Sequence, residues 1–199
     1  MAVPHLLRSL CGPRTVPPNV VTAALPSLGH EAWPGVAAGL QDPEPLVRAV
    51  AIEALGMTGA ISRAAEVARA LREDADIEVR IRAARALGRL GMPEGLKPLL
   101  AAIRPGRPTA LRIVAAGALG SLGAVAATDP LTVLLGDRNP HVAGTAARAL
   151  LRLGPEGQAA LREAADGRPD ASAAAQARAA LAEAAVGGAR HDVLVEVAL

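Results

Sequence analysis

Apolar residues recur along this chain in two nested rhythms. Over 47–55 they fall at Val47, Val50, Ala51, Ala54 and Leu55, the spacing that gathers side chains on one face of a helix. The same stretch then returns, as "EVRIRAARALGRLG" at 78–91 and "ALRIVAAGALGSLG" at 110–123. Aligned on the leucine of Ala-Leu-Gly, the longer rhythm runs through Leu55, Leu87, Leu119, Leu150 and Leu181, at spacings of 32, 32, 31 and 31 residues. Leu25, 30 residues before Leu55, marks a degenerate sixth copy. A period of this length, held across nearly the whole chain, indicates stacked repeat units that bury their apolar faces against one another.

Each unit reads as two helices. The second, here called B, follows a turn rich in Asp and Pro: "DPEP" at 42–45, "DADI" at 74–77, "GRPT" at 106–109, "DRNP" at 137–140 and "RPDA" at 168–171. Asp42, Asp74 and Asp137 stand five residues before Val47, Val79 and Val142, where a carboxylate can cap free backbone N–H groups at the positive helix end. Proline fits there because first-turn N–H groups have no helical acceptor to lose. Each B helix closes on a glycine in phase, Gly29, Gly59, Gly91, Gly123 and Gly154, expected to turn left-handed out of the helix. The first helix of each unit, A, is more variable and is placed near 31–40, 62–72, 94–103, 127–135 and 156–165. No Val/Ile/Thr alternation of strand length recurs, so the pattern predicts an all-α chain. The tail "DVLVEVAL", 192–199, is compatible with a strand or an incomplete helix. The expected organisation is one domain over 1–199, with repeats near 3–29, 31–59, 60–91, 92–123, 124–154 and 155–185 and a tail over 186–199.

Composition sharpens this picture. The 199 residues include no Phe and no Tyr, and Trp33 is the sole tryptophan. A core without rings is filled by Ala, Leu and Val, which suits helices that approach closely. The net charge is +2, and it is spread evenly, with 11 basic and 10 acidic groups in residues 1–100 and 10 and 9 in the remainder. That balance lacks the basic stripe of a strong nucleic-acid binder, so nucleic acid is not the expected partner. Cys11 is the one cysteine, which rules out an intrachain disulfide. The uncharged run "IVAAGALGSLGAVAAT", 113–128, carries three glycines and keeps the repeat register, so it reads as repeat core with no membrane insertion. A soluble, cytoplasmic protein is the expectation.

The chemistry-bearing residues form no catalytic set. His5, His30, His141 and His191 never share the three- or four-residue spacing of two metal ligands on one helix face, and neither metal nor other cofactor is expected. Gly117, Gly120 and Gly123 lie within and after the end of a helix, whereas a phosphate loop lies between a strand and a helix N-terminus. Ser121 has no nucleophile-elbow context, and Cys11 reads as a small apolar thiol.

The pattern Asp-Pro-x-x-x-Val-Arg-x-x-Ala-x-x-Ala-Leu-Gly, as in "DPEPLVRAVAIEALGMTG" at 42–59 and "DADIEVRIRAARALGRLG" at 74–91, resembles the HEAT repeat, in the short bacterial form found in phycobilisome lyases. The copy at 106–123 lacks the Asp, the copy at 137–154 lacks the Arg after Val142, and the copy at 168–181 keeps little beyond alanines and Leu181. Over roughly residues 15 to 185, the resemblance implies a right-handed α-solenoid of about five to six two-helix repeats. It also implies a structural ladder between neighbouring units, built from Asp42, Asp74 and Asp137 with Arg48, Arg80 and Arg112. The "His30-Glu31" pair is similar to those of HEAT-type di-iron hydroxylases, which use several such pairs; an inter-helix turn explains it better.

One series remains for function. Positions two before and two after the repeat leucine share a helix face. They read Glu53, Arg85, Gly117, Arg148, Ala179 and Met57, Arg89, Ser121, Arg152, Glu183. If B helices line the concave face, as in similar solenoids, arginine-bearing units flank a unit with Gly117 and Ser121. A solvated charged face accounts for such a series. The sharper expectation is that Arg85, Arg89, Arg148 and Arg152, with Glu53, Met57 and Ser121, hold an acidic protein segment or a phosphorylated ligand by bidentate contacts. The function expected is a non-enzymatic scaffold or adaptor for protein–protein interaction. The alternatives are a bilin lyase- or isomerase-like accessory protein, disfavoured by the lack of Phe and Tyr, and a HEAT-like DNA-binding protein, disfavoured by the charge balance.

Overall fold

In a computed structural model of the chain, the described residues are 33–167 and 171–197, with eight isolated positions ahead of residue 33 and side chains as far as 186. Every regular element among them is helical. Two compact units divide the chain, residues 1–122 and 123–199.

In the first unit, helix α1 (Trp33–Ala38) ends in a 3₁₀ turn, Gly39–Gln41, and leads to α2 (Pro45–Met57). A second 3₁₀ turn, Ile61–Arg63, opens into α3 (Ala64–Glu73), followed by α4 (Ile77–Leu90). The turn Pro93–Gly95 enters α5 (Leu96–Ala102), and α6 (Thr109–Leu122) closes the unit. Thus α1, α3 and α5 are A helices, while α2, α4 and α6 are B helices, within a few residues of the periods read from the sequence. Gly59 and Gly91 turn out of α2 and α4 with φ of 66° and 65°, the left-handed region in which an L side chain is strained. The predicted core positions Val47, Val50, Ala51, Ala54 and Leu55 are all buried.

The B helices pack in order, α2 against α4 and α4 against α6. Glycine sets their separation. A Cβ placed on Gly56 would lie 2.8 Å from Ala86 Cβ, and one on Gly88 would lie 2.8 Å from Ala118 Cα. Gly56 and Gly88, the glycines of the first two Ala-Leu-Gly copies, therefore lie inside their helices and bring the backbone against the next B helix. This close approach is how a core without phenylalanine or tyrosine reaches full packing.

In the second unit, a 3₁₀ turn, Val125–Ala127, enters α7 (Thr128–Val133), which ends in another, Leu134–Gly136. Then come α8 (Pro140–Arg152), α9 (Pro155–Asp166) and α10 (Ala171–Val197). Pro140 and Pro155 stand at the starts of their helices, as first-turn prolines should. Gly154, at φ 77°, connects α8 to α9, and a Cβ on Gly157 would run into the Leu150 carbonyl. The tail that permitted a strand or a partial helix continues α10 as far as Val197.

The turn aspartates cap one step further out than the sequence suggests. Asp42, Asp74 and Asp137 accept from the backbone N–H of Glu44, Asp76 and Asn139, each at 2.9 Å. Those residues are the actual N-caps, and Asp76 and Asn139 receive the first-turn N–H groups of α4 and α8. The three turn aspartates instead take extended backbone, with ψ near 140°, that ends the preceding helix or turn.

Candidate functional site

The sequence-predicted series is divided between the two units. In the first, Arg85 and Arg89 project from α4 one helical turn apart and are exposed. Neither takes part in an ion pair among the described residues. On α2, Met57 is 47% exposed, a large apolar side chain in water. Glu53, on the same helix, is half-buried and ion-paired with Arg82 of α4. On α6, Ser121 is exposed and its hydroxyl donates to the Gly117 carbonyl at 3.2 Å. The first unit thus presents two exposed guanidinium groups on its middle B helix, between a methionine on one neighbour and a small polar position on the other.

In the second unit, Arg148 and Arg152 repeat the one-turn spacing on α8 and are exposed. Arg148 donates to the Thr145 hydroxyl at 3.3 Å. Ala179 and Glu183, the last members of the series, are exposed on α10.

At the turn edge of the first unit, Arg48 and Asp74 form a complete rung of the ladder. Arg48 of α2 grips Asp74 with Nε and Nη2, at 2.8 and 2.9 Å, while Nη1 donates to the Asp42 and Pro43 carbonyls. The bidentate hydrogen bond to Arg48 holds the Asp74 carboxyl below the usual carboxylate range against the opposing effect of burial, with help from the Asp76 N–H. The same contact raises the pKa of Arg48. Around this rung lies a cavity of about 410 Å³, lined by Asp42, Arg48, Glu66, Arg69, Glu73 and Asp74 among others. Its charges are mutually engaged, with Arg69 donating to Glu73 at 2.9 Å.

The next rung differs. Arg80 occupies the register of Arg48, but the following repeat has Gly106 where the copies at 42, 74 and 137 have Asp. The buried Nε of Arg80 has no hydrogen-bond partner. Arg112, the third expected ladder arginine, donates through Nε to the Ile103 carbonyl at 3.4 Å. The Glu53–Arg82 pair is an additional link between B helices that the sequence series did not contain. The signal for it is present, since Arg82 stands five residues before Leu87 and 29 after Glu53.

Among the described residues no group of three or more His, Cys, Asp or Glu side chains could hold a metal ion. His141 is exposed at the start of α8, where its backbone N–H donates to Asn139. Cys11, His5 and His30 lie outside the described residues, as does the His191 side chain. No helix among the described residues is long and apolar enough to cross a membrane.

The sequence family of HEAT repeats matches this chain three times in overlapping register, over residues 33–109, 64–131 and 96–182. Among solved structures, the complex of CpcE and CpcF of phycocyanin lyase from Nostoc sp. PCC7120 is similar with a TM-score of 0.64 at 21% identity, covering 85% of this chain and 72% of that one. An engineered protein is similar with a TM-score of 0.59 at 19% identity, covering 91% and 95%. A second engineered protein gives 0.56 at 19% identity, covering 90% of this chain and 57% of its own. At these identities the likeness is one of fold, an all-α solenoid. No curated protein matches the sequence.

Proposed function

Because this chain belongs to the HEAT-repeat family, we propose that it is a non-catalytic scaffold whose B helices hold an acidic segment of a partner protein. The observation that carries the reading is the pair Arg85 and Arg89, exposed, one turn apart and without a carboxylate partner among the described residues, in a unit where the acid of the series, Glu53, is taken by Arg82. Guanidinium groups so placed can each receive a carboxylate through two parallel N–H donors. Met57 and Ser121 on the flanking helices add an apolar contact and a hydroxyl, and Arg148 and Arg152 give the second unit its own basic pair. A scaffold also agrees with a repeat-only layout, since stacked units offer long surfaces.

The decisive experiment reverses charge at Arg85 and Arg148 and measures binding to a partner captured with the wild-type chain. The variant should melt as the wild type does and lose the partner. Unchanged binding by a folded variant would remove the proposal. A lyase-like role in attaching a chromophore is the second reading, suggested by the structural likeness to phycocyanin lyase subunits. Incubation with free bilin tests it, and a shifted absorbance band that persists after gel filtration would favour it over the scaffold.

A further inference from the structure

The interruption in the Asp–Arg ladder creates a basic cavity. Arg80, Arg72 and Arg107 line a space of about 230 Å³ together with Leu71, Pro98 and Leu111, all within the first unit, and no carboxylate lines it. The contrast with the neighbouring rung is direct. There, the carboxylate of Asp74 meets the Nε and Nη2 donors of Arg48, whereas here Gly106 stands in the aspartate register. Gly106 also departs in backbone: its φ is +83°, against −64° at Asp74. The linker between A and B helices grows accordingly, from residues 74–76 to residues 103–108.

A buried guanidinium donor without an acceptor is costly, because desolvation of a charged group is not offset by any hydrogen bond. Arg80 Nε is in that position. The charges around it are not neutralised locally. Arg72 is 3.6 Å from Glu73, but Glu73 is bound more closely by Arg69, at 2.9 Å. Arg107 is exposed and takes part in no ion pair among the described residues. Asp74 lies near enough to Arg80 for its charge to be felt, yet both its oxygens face Arg48. The two carboxylates near these three guanidinium groups, Glu73 and Asp74, are each held more closely by another arginine, Arg69 and Arg48, and the positive charge left over suits a dianion better than a single carboxylate.

We propose that the Arg72–Arg80–Arg107 cavity is an anion site for a phosphate group, with half-buried Arg80, whose buried Nε lacks an acceptor, in the role that Arg48 has toward Asp74. The site is separate from the Arg85–Arg89 face, and its occupancy stands or falls independently of the scaffold reading. The ligand class is a small phosphate dianion, either inorganic phosphate or a phosphate monoester.

Calorimetric titration of the full chain with inorganic phosphate, at constant ionic strength, tests the assignment. Wild type should show saturable binding of one phosphate; Arg80→Met should weaken it by about tenfold or more, and Arg107→Ala by at least about threefold. Arg107 is exposed, so its variant keeps the test open even if the Arg80 variant were poorly folded. Without phosphate, Arg80→Met should melt no lower than wild type, since it removes an unsatisfied buried donor. A phosphoserine titration then separates the two sources, tighter binding than inorganic phosphate assigning the monoester and weaker binding the free ion. No binding at about 10 mM phosphate, equal binding by either variant, or acetate binding as tightly as phosphate would each overturn it.

Discussion

Gly88 and Gly144 both sit inside B helices, and alanine at each has opposite consequences. In a helix interior alanine is favoured over glycine by about 1 kcal/mol. At Gly144 an added Cβ meets only Arg148 Nη1 at 3.7 Å and Gln176 Oε1 at 3.8 Å, ordinary contacts, so Gly144→Ala should stabilise by about 0.5–1 kcal/mol. At Gly88 the Cβ would collide with the Ala118 backbone, and overpacking of about 1–3 kcal/mol outweighs the gain. Chemical denaturation of the two variants should therefore move the midpoint in opposite directions. Asp74 supplies the second residue-scale prediction. Its folded pKa is lowered by Arg48, so its contribution is fully present above the unfolded carboxylate value. That contribution is lost as the pH falls through the lowered folded value. Asp74→Asn should cost about 1–3 kcal/mol at neutral pH, and the difference from wild type should shrink in melts taken as the pH drops below about 4.

At the scale of the element, helix starts separate a capping residue from one that only resembles a cap in the sequence. Asp76 and Asn139 accept first-turn N–H groups of α4 and α8, and Asp76→Ala or Asn139→Ala should each cost about 1 kcal/mol. Glu44 occupies the same position before α2 without a side-chain hydrogen bond; Glu44→Ala should change thermal stability by less than about 0.5 kcal/mol. The helices themselves were legible from the 3.6-residue rhythm of Val47, Ala51 and Leu55. Their exits were legible from Gly59, Gly91, Gly123 and Gly154, all of which take positive φ. Cap identity was less so: an Asp two residues outside the helix and an Asp at its edge, as in Asp74 and Asp76, look alike until the hydrogen bonds are drawn.

The whole molecule is a weakly charged body with net +2 on 199 residues. Non-specific affinity for nucleic acid scales with the number of phosphates neutralised, so binding to duplex DNA should be undetectable at about 150 mM salt in an electrophoretic shift assay. By the same reasoning, the proposed acidic partner must be held by local pairs such as Arg85 and Arg89, and its affinity should fall as salt is raised. The candidate site was only partly legible. The helix face of Arg85, Arg89, Met57 and Ser121 followed from register, but the engagement of Glu53 by Arg82 and the cavity around Arg80 did not. Both depend on partners from other repeats, 29 residues away for Arg82 and Glu53.

Sequence alone therefore determined what is local and periodic: the helical type of each segment, its buried face, and the glycines that leave it. These follow from side-chain spacing and from the steric freedom that glycine has at positive φ. Only the tertiary structure decided which charges are satisfied. Arg48 and Arg80 share a register and a residue type, yet one is locked on Asp74 and the other keeps a buried N–H without an acceptor. The difference arises because a salt bridge needs two groups brought within about 4 Å by packing, and the turn at Gly106 has no carboxylate to bring.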